Sequence, residues 1–149
     1  MRFKATIAAL IMSAVSMGII GYREYRNMWV RVGDYYAIWH VADMLQYHIH
    51  DQQGVTPKNW NDLKAAYSHG NSGFTFAELQ ARIDIDFDEL AVGVDALTER
   101  GDHYDRGQVI FCRCRRHSAE AMEVEVNDHF WKSLSETRKK GNRSHPGTQ

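Results

Sequence analysis

The stretch from Ala5 to Gly21, ATIAALIMSAVSMGIIG, runs seventeen residues without a charge and constrains the chain more than any other feature. Arg2 and Lys4 precede it; Tyr22, Arg23, Tyr25, Arg26 and Trp29 follow it. Residues 5–22 reach the short end of the roughly 17–25 residues that cross a bilayer as a helix. Tyr22, Tyr25 and Trp29 stand at i, i+3 and i+7, on one helix face, where rings of this kind suit a headgroup layer. The arginines beside them can snorkel. The pattern predicts a transmembrane helix with lipid as its first partner. A charged start before an apolar centre also fits a signal peptide, but no A-x-A site closes the run and helix-compatible sequence continues past it. The expectation is an uncleaved, single-pass anchor in the cytoplasmic (inner) membrane. Basic residues flank both ends, so the positive-inside rule is nearly balanced. A short basic N-terminus in the cytoplasm places the following domain outside it.

Charge is uneven along the 149 residues. Residues 1–33 carry five basic and one acidic residue, 34–105 carry four basic and thirteen acidic, and 106–149 carry nine basic and five acidic. The total of −1 gives no general pull toward nucleic acid. Solvated faces account for such a pattern, which would also suit head-to-tail contacts between copies. Two cysteines cannot staple a disulfide scaffold.

Beyond the anchor the chain divides into residues 1–33, an α+β domain at 34–136, and a basic disordered tail at 137–149. Gly33-Asp34 is the one break the sequence offers in residues 22–53, with Asp34 as a candidate N-cap, so the anchor and the following helix form either one long rod or two rods bent at Gly33. Tyr35, Ile38, Val41, Ala42, Leu45 and Ile49 then form one stripe of an amphipathic helix, which Gly54 and Pro57 end. Thr75, with Glu78 three residues on, predicts a capped short helix. Arg82–Phe87 alternates as a strand does, Gln108–Arg115 reads as a second strand, and Met122–Val126 as a third. Residues 88–98 fit strand or helix. Asn127 or Asp128 caps a final helix holding Phe130, Trp131 and Leu134. Three strands with one apolar face need a cover, which the helix at 34–53 supplies. The expected core is Ile38, Leu45, Ile49, Ile83, Ile85, Phe87, Val124 and Val126.

This layout resembles that of type IV pilins and type II secretion pseudopilins. The run Ala42-x2-Leu45-x-Tyr47, Gly54-x2-Pro57 and Trp60-x2-Leu63 is similar to their helix end, turn and following apolar helix over about 25 residues. The resemblance implies an apolar helix running into an amphipathic half packed on a small antiparallel sheet. It implies a secretion or assembly role as one alternative. No processing glycine precedes the apolar run, and the first acid, Glu24, lies beyond it. The segment from Trp39 through Trp60 to Asp86 also looks like small bacterial single-pass proteins that supply no activity.

Candidate chemistry is sparse. His40, Asp43, His50 and Asp51, with His48 close by, offer imidazole and carboxylate ligands opposite the apolar stripe. A polar helix face predicts the same residues. Asp84-x-Asp86-x-Asp88 opens like a calcium loop, but Glu89 replaces the glycine that loop needs. Cys112 and Cys114 on a strand face the same side, about 6.5 Å apart at Cα, a weak thiol-redox candidate. Ser72 lies in a glycine-rich loop near His69. No Gly-x-Ser-x-Gly, Walker or His-Glu-x-x-His motif occurs. The reading is a membrane-anchored interaction or assembly module, not an enzyme, without cofactor or small-molecule substrate. A metal-binding or thiol-redox protein is the alternative from another class.

Overall fold

Helix-forming sequence without proline fills the first third of the chain, and the computed structural model shows one helix, α1, over Arg2–Asp51. The structure describes residues 2–70, 72–100, 107–113 and 120–143, with side chains at 12–70, 72–97, 107–113 and 121–137. Two compact units divide it, residues 1–33 and 34–149.

In the first unit most of the described side chains of α1 are exposed. Met12, Val15, Met17, Ile19 and Ile20 are all more than half exposed. Among the described residues no helix is long and apolar enough to cross a membrane. The side chains of 5–11, the first part of the predicted anchor, lie outside the described residues.

The second unit is α+β and rich in helix. After α1 come two short 3-10 turns, Trp60–Leu63 and Ala65–His69, then α2 (Phe76–Arg82), β1 (Ile83–Ile85), α3 (Phe87–Arg100), β2 (Ile110–Cys112) and α4 (Glu120–Arg143). The two strands pair antiparallel, with Ile83 opposite Cys112 and Ile85 opposite Ile110.

Of the two arrangements the sequence left open, α1 takes the continuous one through Gly33-Asp34. One glycine costs a helix only about 1 kcal/mol, and no proline reinforces it. Asp34 is not a cap: its buried carboxylate accepts from Arg82 at 2.8 Å, joining α1 to α2. The Arg82 guanidinium also lies over the Phe74 ring, 4.5 Å from its centroid. Ala37, Ile38, Val41, Ala42, Leu45 and Ile49 are buried as one stripe, whereas Tyr35 is 38% exposed. α1 ends in a Schellman arrangement: Gly54 N–H donates to Ile49 C=O at 2.7 Å, and Gln53 donates to His50 C=O at 3.2 Å. Gln53 takes φ +53° there, a conformation that favours glycine.

The Thr75 capping box forms as its sequence predicts. The predicted first strand is shorter than its alternation, because α2 takes Arg82 and α3 takes Phe87. Asp86 starts α3 by accepting the Glu89 N–H at 2.9 Å. Residues 88–98 are helical, with Leu90, Val94 and Leu97 buried at helical spacing. Phe87 is half-buried and packs at the margin of the core.

Met122–Val126 is not a third strand. It is the second turn of α4, and Val124 is 43% exposed. The buried positions of α4 are Glu123, Val126, Asn127, Phe130, Trp131 and Leu134, a 3.6-residue pattern. α4 also continues through Thr137 to Arg143, where a disordered tail was expected; residues 144–149 lie outside the described residues. Lys and Arg are good helix formers and suit a helix C-terminus.

Trp131 and Phe130 anchor the core between α4, α3 and the strands. Gly93 makes room for them: a Cβ there would overlap the Trp131 ring. The Trp131 indole N–H donates to Gly107 C=O at 3.0 Å.

Candidate functional site

Asn127 and Glu123 show why a two-stranded sheet is sufficient. On β2, Ile110 and Cys112 turn their backbone groups away from β1. The Asn127 Oδ1 accepts from Val109 N–H at 2.8 Å and Ile110 N–H at 3.0 Å. Its Nδ2 donates to Ile110 C=O at 2.9 Å and Glu123 C=O at 2.7 Å. Glu123 Oε1 accepts from Cys112 N–H at 2.6 Å. Side chains of α4 thus occupy the strand edge that a third strand would pair. These residues build the fold.

His40 is the most constrained of the predicted ligands. It is buried, its Nε2 lies 3.0 Å from Tyr67 C=O and its Nδ1 lies 2.7 Å from Ser72 Oγ. A carbonyl only accepts, so Nε2 carries a proton. In the neutral ring Nδ1 then accepts from the Ser72 hydroxyl. The ring stacks on Tyr67, and a Cβ on Gly70 would overlap it. Both nitrogens are committed to the loop, so His40 braces residues 67–74 and has no lone pair to offer a metal.

Asp43 keeps solvent exposure beside His40 and His129. Desolvation raises its pKa above the ordinary 3.8, and attraction to the two histidines offsets only part of that. His129 packs edge-on against Trp39, at 4.9 Å between centroids. His50 and Asp51 lie exposed at the end of α1, and His48 is half-buried. Among the described residues no group of three His, Cys, Asp or Glu is arranged to hold a metal ion. The four predicted ligands therefore share a helix without converging on one point.

The acidic run is divided among structural roles. Asp84 pairs with Arg113 at 3.4 Å, and Asp86 caps α3. They line an open depression of about 600 Å³ with Lys58, Asp88 and Phe111. Cys112 points into the core, and Cys114 lies outside the described residues. Ser72 was noticed for His69, but its partner is His40, thirty-two residues away; His69 instead stacks on Tyr47.

The remaining candidate is the surface of α1 in the first unit. Tyr22, Tyr25, Met28 and Trp29 are exposed on it. Tyr25 and Trp29 meet edge to face, 6.1 Å between centroids, and leave their outer faces uncovered. Arg23, Arg26 and Arg31 are exposed among them. Along the helix the apolar surface gives way to aromatic rings interleaved with cations. Comparison with family models, curated proteins and solved structures returns no match to this chain.

Proposed function

We propose that the chain is a single-pass membrane protein: residues 5–22 anchor it in the cytoplasmic membrane, and the α+β unit serves outside the cytoplasm as an interaction or assembly module. The observation that carries this reading is the uncovered stretch of α1. The large apolar side chains from Met12 to Ile20 are exposed, and exposed apolar surface costs about 25 cal/mol per Å² in water. Lipid removes that cost. The seventeen uncharged residues that contain this stretch reach the span of a bilayer.

Among the described residues His40, Asp84, Asp86 and Cys112 each hold a structural position. A pseudopilin-like secretion component is a narrower form of the same reading. It is favoured by a single α1 whose N-terminal part is uncovered while residues 37–49 are packed into an α+β core.

The test is topology. Spheroplasts carrying the full chain with a C-terminal tag are treated with protease, and the N-terminal residues are checked by mass. A retained N-terminus with a digestible tag is the expected result. A tag protected until lysis would reverse the orientation. A shortened chain released from the cells would replace the anchor with a cleaved signal.

A further inference from the structure

We propose that Arg23 and Arg26 hold the phosphates of anionic lipids, with Tyr22, Tyr25 and Trp29 seated in the interface beside them. This rests on the membrane-anchor reading and adds the kind of headgroup the protein selects.

Three observations converge. First, among the described residues no acid pairs with these guanidinium groups. Among the described residues the ion pairs are Arg82 with Asp34 and Arg113 with Asp84, and neither belongs to this stretch. The nearby acid, Glu24, is not spaced at i, i+3 or i+4 from Arg23, Arg26 or Arg31.

Second, the depth matches. Residues 22–26 rise about 6 Å along a helix, and the headgroup layer beyond each face of the hydrocarbon is about 5–8 Å thick. Helical side chains lean toward the N-terminus, here toward the bilayer, which carries both rings and guanidiniums down into that layer.

Third, the charge favours lipid over another occupant. A second copy packed in parallel on this face would bring Arg23 and Arg26 against their own counterparts and repel. An anionic surface attracts them, roughly fivefold in local concentration for each basic residue near it.

The experiment uses the full chain in phosphatidylcholine bilayers containing phosphatidylglycerol, with bromine on the acyl chains of one lipid or the other at equal mole fraction. Trp29→Phe isolates the Trp29 share of the tryptophan quenching. Brominated phosphatidylglycerol should quench Trp29 severalfold more than brominated phosphatidylcholine. That preference should vanish in Arg23→Gln/Arg26→Gln and at molar salt. Arg31→Gln, more than a turn beyond Arg26 along the helix, should lose only a small part of it. Equal quenching by the two lipids would overturn the phosphate assignment while leaving the anchor in place. Quenching by neither would overturn both. Equal quenching with energy transfer between copies would assign the face to self-association.

Discussion

A single amide illustrates how much one residue does in this domain. Asn127 makes four hydrogen bonds to backbone, and every one is buried. Removing it strands two N–H groups and a C=O on β2, each costing about 1–3 kcal/mol when buried. Asn127→Ala should therefore lose at least about 3 kcal/mol in urea unfolding. Asn127→Asp keeps the acceptor but loses both donors, and should fall short of wild type as well. Asp43 gives a prediction of opposite sign. Its native pKa is raised by desolvation, so the ionised form is penalised on folding. The penalty is complete above the native pKa and disappears as pH falls toward the ordinary 3.8. Asp43→Asn should accordingly be more stable than wild type at neutral pH, and the two should converge on acidification. Chemical denaturation at several pH values checks it; a gap that widens toward acid would contradict it. His40 shows why residue roles were only partly legible. Its chemistry was visible in the sequence, but its partners, Tyr67 and Ser72, come from a loop that only the fold brings to it.

At the scale of elements, length decided which patterns could be read. α1 carries its stripe over four turns, and spacing alone placed Ile38, Val41, Ala42, Leu45 and Ile49 in the core, whereas Tyr35 of the same stripe is exposed. Thr75 and Glu78 made a local signal, and the box formed. Met122-Glu-Val-Glu-Val misled because five alternating residues fit period 2 by chance. Only the continuation to Phe130, Trp131 and Leu134 shows the helical period. The missing third strand follows from that misreading. Side chains of α4, invisible to periodicity, replaced it at the sheet edge. Packing between α3 and α4 makes its own prediction. A methyl group on Gly93 overlaps the Trp131 ring, and both residues are buried. Gly93→Ala gains helix propensity of about 1 kcal/mol but must displace the indole from its bond to Gly107. A net loss of about 1–2 kcal/mol is expected, together with a shifted Trp131 emission. A stabilised variant with unchanged fluorescence would show that the helices separate freely.

For the whole molecule, two units divide the work. Residues 34–149 bury a core of their own, while residues 12–29 leave apolar and aromatic side chains bare. The sequence displayed this division through its uncharged run and its charge asymmetry, since both are properties of composition rather than of long-range contact. The central claim is that lipid covers the bare helix. Alkaline carbonate extraction of membranes from cells making the full chain tests it most directly. The account predicts that the protein stays in the pellet with its N-terminal residues present. Val15→Lys, which costs about 2.5–3.5 kcal/mol at a membrane helix centre, should shift it toward the supernatant. Complete release of the unaltered chain with its N-terminus intact would contradict the account.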